Sequence, residues 1–333
     1  MVYIIAEVGV NHNGSLDIAY ELIDIASKSG ANGVKFQTFN SDKLATPNAE
    51  KAEYQKKNTN NDDTQLSMLK KLELSYDDFI KISEYCNEKK IEFISTPFDL
   101  ESAEFLNLIN VHTFKIGSGD LTNFPLLKKV ASFKKKTILS TGMGSMEEVE
   151  NSVNYLKKNG CEELVLLHCV SCYPTQNEDL NLKCIQTMKN KFTIDVGFSD
   201  HTIDFKASLY AICLGANYIE KHYTLDKDME GPDHKASLNP EELNEFVSLI
   251  RECEVIMGDG IKICRDAELN TKSVARRSLY FSESMKKGDI INEDDLIPLR
   301  PNLGICASHF EEFIGKTLKM DVNKFDLVTF EQI

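Results

Sequence analysis

Positive charge is scarce in this sequence of 333 residues. It has 38 lysines and arginines against 52 aspartates and glutamates, which gives a formal net charge of -14. This deficit argues against nucleic acid or an anionic membrane surface as a main partner. It also means that an anionic substrate has to be held by a local cluster of basic groups within an acidic protein.

Long apolar runs are missing as well, and we expect no secretory leader. No apolar run approaches the ~20 residues that a membrane-spanning helix needs. The N-terminus, MVYIIAEVGVNHNG, lacks the charged segment that begins a signal peptide and soon reaches a polar loop. The nine cysteines are odd in number and scattered, which fits a reducing cytosol better than a disulfide framework. We therefore expect a cytoplasmic protein.

Short runs rich in Val, Ile and Phe alternate with amphipathic stretches of helical period, such as Leu16–Lys28 and Pro240–Met257. No Gly-x-Gly-x-x-Gly motif follows the first strand, which makes a doubly wound open sheet the weaker alternative. Eight strand–helix units within about 258 residues predict a (β/α)8 TIM barrel over residues 1–261. The eight predicted strands are Ile4–Val8, Gly33–Thr38, Glu92–Thr96, Thr113–Gly117, Thr137–Ser140, Leu164–Cys169, Thr193–Gly197 and Asn217–His222.

The pattern changes after Gly258-Asp259-Gly260. A charged linker over residues 262–275 leads to a small β-rich domain over residues 276–333, with predicted strands Ser278–Phe281, Leu296–Leu299 and Leu327–Phe330. A domain of about 58 residues is near the lower limit for folding alone. We therefore expect it to dock on another surface.

In a TIM barrel, polar residues at the carboxyl ends of the strands point into the mouth, where active sites of this fold lie. His201 and His222 end adjacent predicted strands, so their imidazoles could converge on one ion. Two imidazoles without cysteine suit Mn²⁺, or another divalent ion such as Mg²⁺ or Co²⁺, better than structural zinc. Asp233 and His234 either reach the same ion or the substrate, or belong to a solvated acidic turn. His168, inside LVLLHC, is expected to be a hydrogen-bonded core residue.

Lys35 and Lys115 interrupt apolar strands. A buried ammonium without a partner is too costly, so each lysine needs an anion, either a ligand or an internal partner such as Glu7 or Asp120. Two lysines with nearby hydroxyls fit a small, multiply charged phosphate. A Schiff-base aldolase, with a neutral nucleophilic lysine, remains the alternative. The hydroxyls predicted at the mouth are those of Thr96, Ser118, Ser140 and Ser171.

Several ordered motifs resemble those of the sialic acid synthases, the bacterial nonulosonate synthases. They span essentially the whole chain and include IIAEVGVNHNG, VKFQT, FISTPFD, FKIGSGDLTNFPLL, ILSTGM, HCVSCYPT, GFSDHT, EKHYTLDKDMEGPDHKASL and RRSLYFSESMKKGDII. The resemblance implies a TIM barrel with a C-terminal antifreeze-like (SAF, β-clip) domain. It also implies condensation of phosphoenolpyruvate with an N-acetylated hexosamine to a nine-carbon 2-keto sugar acid and phosphate.

The resemblance also assigns roles to residues. It implies a metal held by His201 and His222, phosphoenolpyruvate contacts at Lys35, Thr96, Lys115, Ser118, Ser140 and Ser171, and sugar contacts at Glu7, Gln37, Asn61, Tyr173 and Asp233. Arg300, in the small domain, is expected to act in the partner subunit's active site within a domain-swapped homodimer. Asp120 stands where many relatives have Glu, and Asn302 where the family often has Gly.

In the implied mechanism the metal polarises the open-chain aldehyde, and Glu7 or Asp120 relays protons. The sugar is expected to be N-acetylmannosamine or the 6-deoxy diacetamido analogue that leads to legionaminate, rather than the pseudaminate precursor. Two other readings stay open. One is a metal- or lysine-dependent lyase on the same barrel, and the other is a noncatalytic sugar-binding protein.

Overall fold

Eight parallel strands form a closed barrel in the computed structural model, which describes residues 1–59 and 64–333. The strands pair in chain order, and β8 returns to β1 with Glu7 opposite His222. The predicted TIM barrel is confirmed. The strands are β1 Tyr3–Gly9, β2 Gly33–Thr38, β3 Glu92–Pro97, β4 Thr113–Ile116, β5 Lys136–Ser140, β6 Leu164–Cys169, β7 Asp195–Asp200 and β8 Tyr218–His222.

The predicted position of β7 was wrong: the strand starts two residues later and ends three residues later than Thr193–Gly197. Thr193 has a positive φ of 53° and ends the preceding helix, so the strand starts only at Asp195. It then continues to Asp200, directly before His201. The apolar residues Phe192 and Ile194 had suggested an earlier start.

Helices surround the barrel, and side chains fix where they begin. Ser145 and Glu148 form a reciprocal capping box, as do Asn239 and Glu242. The described helices are α1 Leu16–Ser29, α2 Ser41–Leu44, α3 Glu53–Thr59, α4 Gln65–Leu72, α5 Tyr76–Lys89, α6 Leu100–Leu108, α7 Phe124–Ser132, α8 Met146–Lys158, α9 Cys184–Phe192, α10 Lys206–Cys213, α11 Pro240–Met257 and α12 Leu269–Ala275. None of the helices in the described ranges is long and apolar enough to cross a membrane.

The alternation of strand side chains divides the barrel into an outer and an inner core. Outward residues such as Phe36, Phe114 and Phe198 pack in the large apolar layer under the helices. Inward residues form a smaller apolar plug across the middle of the barrel: Ile5, Ile94, Ile138, Val165, Leu167 and Tyr218. Polar inward residues therefore lie only above and below this plug, at the two ends of the barrel.

The chain separates into two units, Met1–Gly258 and Asp259–Ile333. The second unit contains α12 and an antiparallel pair, β9 Ser278–Phe281 and β10 Leu296–Leu299. Its own core includes Leu279, Phe281 and Phe313. The third predicted strand was wrong: Leu327 makes a single bridge to Tyr280, and Phe330–Gln332 forms a 3-10 turn.

Candidate active site

A cavity of about 490 Å³ occupies the carboxyl end of the barrel. It brings together eleven of the residues that the sequence pointed to: Glu7, Lys35, Gln37, Thr96, Lys115, Ser118, Ser140, Ser171, Tyr173, His201 and His222. A larger cavity of about 610 Å³ lies on the outside of the barrel, next to Leu180, Lys206 and Tyr210. None of these eleven residues lines it, so we take the mouth of the barrel as the candidate active site.

His201 and His222 lie next to each other in this cavity, with ring centroids 5.7 Å apart. The Tyr173 ring packs 4.1 Å from the His201 ring. Nδ1 of His201 is 2.7 Å from the carbonyl oxygen of Val170, which can only accept a hydrogen bond. Nδ1 therefore carries the proton. The Ser199 hydroxyl lies 3.3 Å from Nε2 but donates its proton to Glu220 at 2.8 Å, so Nε2 keeps its lone pair for another ligand.

Both imidazoles are neutral near pH 7. Burial lowers the pKa of His201 to about 4, although its hydrogen bond to Val170 opposes this change. Burial, reinforced by His201 and Lys35, lowers the pKa of His222 well below its ordinary value. Neutral imidazole is the form that binds metal ions.

The two histidines fit a sparse divalent metal site. Nδ1 of His222 is buried without a hydrogen-bond partner, which is unusual for a polar atom unless a ligand satisfies it. Among the described residues, no group of three or more His, Cys, Asp or Glu side chains could hold a metal ion. A bound ion would therefore take its remaining ligands from water and substrate.

Lys35 and Lys115 are both buried and share a carboxylate that the sequence analysis missed, Glu220. Nζ of Lys35 lies 3.1 Å from Oε1 of Glu7 and 3.5 Å from Oε2 of Glu220. Nζ of Lys115 lies 3.6 Å from Oε1 of Glu220 and donates a 2.7 Å hydrogen bond to Ser140. Glu220 precedes His222 by two residues, so strand alternation places both on the inner face. The two-residue spacing from His222 was the feature of the sequence that could have identified Glu220.

The two carboxylates differ in protonation. Burial alone would raise the pKa of Glu220, but Lys115 and Lys35 together lower it to about 2. Burial raises the pKa of Glu7 to about 7, against the opposing effect of Lys35. Glu220 is thus charged at neutral pH, whereas Glu7 exchanges its proton in the physiological range.

The two lysines differ as well. Burial tends to lower the pKa of Lys35, but Glu220 and Glu7 outweigh it and the pKa is raised. For Lys115, burial dominates, Glu220 offsets it only in part, and the pKa is lowered. Lys115 is therefore the lysine less well neutralised by the protein itself.

Serine hydroxyls converge beside Lys115. Oγ of Ser118 accepts a 3.0 Å hydrogen bond from the backbone N–H of Gly142 and lies 3.0 Å from Sγ of Cys169. A Cβ atom on Gly142 would come within 2.4 Å of Oγ of Ser171 and 2.8 Å of Oγ of Ser118. Glycine at this position therefore keeps the hydroxyls of Ser118 and Ser171 close together.

Asp120 is not the internal partner of Lys115 that the sequence analysis allowed. Its carboxylate accepts a 2.8 Å hydrogen bond from Asn123, and it is not among the described residues that line the cavity. Burial raises its pKa, although the Asn123 hydrogen bond opposes this. Its geometry therefore gives it no contact with the lysine pair.

Asp233 and His234 are buried although other charged residues of the loop after β8, such as Asp226 and Glu230, are exposed, so a solvated turn was the wrong alternative for these two residues. The ring nitrogens of His234 contact the Thr224 hydroxyl at 2.6 Å and Oδ1 of Asn13 at 3.1 Å, which leaves this histidine a loop anchor rather than a metal ligand. Burial raises the pKa of Asp233 to about 6, and its Oδ1 has no hydrogen-bond partner. Asp233 does not line the cavity among the described residues.

The remaining sequence assignments lie elsewhere. Nε2 of His168 contacts the carbonyl of Leu180 at 2.7 Å, which confirms it as a hydrogen-bonded core residue. Arg300 is exposed in the second unit. Asn61 falls outside the described residues.

Comparison with known proteins gives consistent matches over the chain. Residues 22–262 match the NeuB family, and residues 276–333 match a SAF domain. The chain is 47% identical over 330 residues to the N,N'-diacetyllegionaminic acid synthase of Campylobacter jejuni, covering 98% of each chain. It is 44% identical over 335 residues to the N,N'-diacetyllegionaminic acid synthase of Legionella pneumophila, covering 99% of this chain and 94% of that one.

A solved structure agrees with these matches. The crystal structure of the N-acetylneuraminic acid (sialic acid) synthetase from Leptospira borgpetersenii aligns with a TM-score of 0.73 at 36% identity, over 81% of this chain and 90% of that chain. The family match alone covers well over half of the sequence. The chain therefore belongs to the NeuB family, the family of the sialic acid synthases, and is an enzyme.

Proposed function

We propose that the protein condenses phosphoenolpyruvate with an open-chain N-acetylated hexosamine to give a nine-carbon 2-keto sugar acid and phosphate. The observation that carries this proposal is the barrel mouth, where two neutral imidazoles lie beside two buried lysines. C3 of phosphoenolpyruvate bonds to the aldehyde carbon, water adds at C2, and the tetrahedral intermediate loses phosphate. One water molecule is consumed, and its oxygen becomes the 2-keto oxygen of the product.

Phosphoenolpyruvate is an anion, and the lysines supply the local positive charge that this acidic protein otherwise lacks. Lys35 and Lys115 face one carboxylate that stays charged, Glu220, so the cluster retains affinity for an added anion. We assign the phosphate group to Lys115 and the adjoining hydroxyls of Ser118, Ser140 and Ser171. An arriving phosphate raises the pKa of Lys115 and makes each hydrogen bond charge-assisted.

His201 and His222 would hold the divalent ion, for which Mn²⁺ is our first choice. When bound, the ion supplies Lewis-acid polarisation of the sugar aldehyde. The protein's contribution is to hold the two imidazoles in their neutral form, with Nδ1 of His201 anchored on Val170. The Tyr173 ring beside His201 limits the orientation of anything bound there.

Glu7 is the better candidate for the proton carrier. Its pKa of about 7 lets it gain and lose a proton near neutrality, and its Oε2 is buried without a partner in the cavity wall. Asp120 lies outside the cavity lining. Glu7 can take the proton of the attacking water at Oε2 and return it to the oxygen of the former aldehyde.

For the sugar we favour the 6-deoxy diacetamido hexose that leads to legionaminate, because the two relatives described above carry that synthase name. N-acetylmannosamine is the second choice. The test is phosphate release from phosphoenolpyruvate with each of these sugars and with the pseudaminate precursor, with the highest kcat/KM expected for the legionaminate precursor. No phosphate release with any of them would overturn the proposed function.

A Schiff-base lyase is the second candidate, and the lowered pKa of Lys115 is the observation that favours it. Borohydride reduction in the presence of substrate distinguishes the two. We expect no covalent adduct on Lys115 or Lys35. A trapped adduct without phosphate release would favour the lyase.

We also propose a homodimer in which Arg300 serves the partner's active site. Apolar side chains at the end of α11 are exposed in the single chain: Val255 at 82%, Ile256 at 74% and Met257 at 48%. An exposed apolar patch of this kind marks an interaction surface. Arg300→Ala and His222→Ala chains, each inactive alone, should regain activity when mixed as heterodimers. Inactive heterodimers would contradict the exchange.

We place the enzyme in the cytosol, where its nine free cysteines would stay reduced. Cys169 lies in the cavity wall against Ser118, so a reduced thiol there leaves the hydroxyl cluster intact. Fractionation of cells that produce the protein tests this placement.

A further inference from the structure

Asp200 and Lys221 form an ion pair that does not line the cavity of the candidate active site. They lie opposite each other on neighbouring strands β7 and β8, with Nζ of Lys221 3.2 Å from Oδ1 of Asp200. Both side chains are completely buried, at 0% exposure. They face the outer layer of the barrel, which is otherwise the main apolar core with Phe198 and Ile219. A buried ion pair is weak evidence for stability, because desolvation offsets most of the attraction.

The position of the pair along the chain is what distinguishes it. Asp200 directly precedes His201, and Lys221 directly precedes His222. Because adjacent strand residues point to opposite faces, the imidazole of His222 enters the cavity while Lys221 points outward. The outward pair thus fixes the backbone from which both candidate metal ligands project.

Its hydrogen bonds bind the segment after β7 to β8. Oδ1 of Asp200 accepts from the backbone N–H of Thr202 at 2.9 Å, and Oδ2 accepts from the hydroxyl of Ser208, on α10, at 2.7 Å. Nζ of Lys221 donates to the carbonyl of Thr202 at 2.5 Å and to that of Asp204 at 2.7 Å. His201 is therefore held on its carboxyl side by groups anchored to the strand that carries His222.

We propose that Asp200 and Lys221 are positioning residues that set the separation of the His201 and His222 imidazoles and thereby the affinity of the site for a divalent cation. The inference rests on the proposed function for the identity of the metal ligands. A site with two protein ligands is sensitive to their spacing, since within residues 1–59 and 64–333 no third His, Cys, Asp or Glu side chain is placed to compensate for a misplaced one.

The test uses the full chain and Mn²⁺ alone, with free Mn²⁺ measured by electron paramagnetic resonance in the absence of substrates. The double variant Asp200→Asn/Lys221→Met removes both charges together, so neither is left buried without its partner. We expect its Mn²⁺ affinity to fall about 10- to 100-fold, the range typical of groups that orient metal ligands. At saturating Mn²⁺, kcat should recover substantially and the KM for phosphoenolpyruvate should stay unchanged.

A matched pair of single substitutions covers the case in which the double variant does not fold. Ser208→Ala removes one hydrogen bond to Asp200. Ser152→Ala removes an equally buried helix serine, whose hydroxyl donates to the Leu121 carbonyl at 2.6 Å, away from the histidines. Ser208→Ala should weaken Mn²⁺ binding several-fold and Ser152→Ala should not.

The outcomes separate this inference from the proposed function. Wild-type Mn²⁺ affinity in the double variant, or equal affinities in the two serine variants, would overturn the positioning role and leave the synthase proposal standing. Mn²⁺ binding that responds as expected in a protein without synthase activity would support the positioning role and reject the function. A wild-type protein that binds no Mn²⁺ would overturn the positioning role and the metal assignment, whereas the synthase activity is decided by phosphate release.

Discussion

The two ends of the barrel interior are both lined with polar groups, mostly half-buried at the amino-terminal end and buried at the mouth, but they differ in whether those groups are satisfied. At the amino-terminal end, Tyr3 donates to Glu92, and Thr113 donates to the other oxygen of the same carboxylate at 2.5 Å. Lys136 donates to the Tyr218 hydroxyl at 2.6 Å. At the carboxyl end, by contrast, one oxygen of Glu7 and Nδ1 of His222 are buried without a hydrogen-bond partner.

This difference follows from what each end does. At the amino-terminal end these polar side chains satisfy one another by hydrogen bonds, so the network serves to stabilise the fold. The carboxyl end keeps unpaired donors and acceptors because substrate and metal are to complete them. The comparison therefore predicts that changes at the mouth alter catalysis at little cost in stability, and that changes at the opposite end do the reverse.

The largest effect is expected for His222→Ala. Removing one of two protein ligands should abolish Mn²⁺ binding and lower kcat/KM by about 100-fold or more. The melting temperature of the metal-free protein should change little, because the imidazole has an unsatisfied buried nitrogen. Calorimetric Mn²⁺ titration and steady-state kinetics measure these effects. Full activity of the chelated wild-type protein would reject the metal assignment.

Lys115→Met should have the next largest effect. It removes charge-assisted contacts worth about 1.5–3 kcal/mol, so the KM for phosphoenolpyruvate should rise about 10- to 150-fold while that for the sugar changes little. Lys136→Met, at the amino-terminal end, is the matched control and should leave both KM values unchanged. Equal increases in both KM values would contradict the assignment of Lys115 to the phosphate.

The barrel could be predicted from sequence because its strands are buried on both faces and therefore read as apolar runs separated by helical periodicity. The ends of these runs also located both histidines, and the interruption of two apolar runs by a charge located both lysines. The early placement of β7 had a local cause: Phe192 and Ile194 look like strand residues, whereas Thr193 takes a left-handed conformation that sequence does not reveal.

Pairing inside the site was harder to predict. Attention to strand ends overlooked Glu220, which sits two residues earlier on the same inner face and pairs with both lysines. Asp120 follows its strand closely in sequence, but its carboxylate turns to Asn123. Which carboxylate pairs with which lysine depends on how far nonadjacent strands are shifted relative to one another across the barrel. A single sequence does not contain this information.

The third effect is a pH dependence of stability. The pKa of Glu7 is raised in the folded state to about 7 from an ordinary value of 4.5, so the folded protein holds this proton more tightly than the unfolded chain. As the pH rises from about 4.5 to 7, Glu7 should therefore lower the free energy of unfolding, by up to about 3 kcal/mol. Urea unfolding at pH 5 and pH 8 should show this loss in the wild type and a smaller loss in Glu7→Gln.

The control for this prediction is Glu163→Gln, since Glu163 is largely exposed beside Lys136. It should retain the wild-type dependence on pH. Parallel profiles for wild type and Glu7→Gln would mean that Glu7 is not held near neutrality in the folded protein, and would remove the support for it as the proton carrier.

The smallest effect is expected at the amino-terminal end, for Thr113→Val. Valine has nearly the shape of threonine, so the change removes the hydrogen bond to Glu92 without opening a cavity. A hydrogen bond to a carboxylate contributes about 1.5–3 kcal/mol, so the free energy of unfolding should fall by about 2 kcal/mol. The values of kcat and of both KM should stay within about twofold, because the apolar plug with Ile5 and Ile94 lies between Thr113 and the mouth. Urea unfolding and steady-state kinetics on the same preparation decide the question. A change in kcat larger than the change in stability can explain would mean that the two ends of the barrel are coupled through the plug, and the division between a stabilising end and a catalytic end would fail.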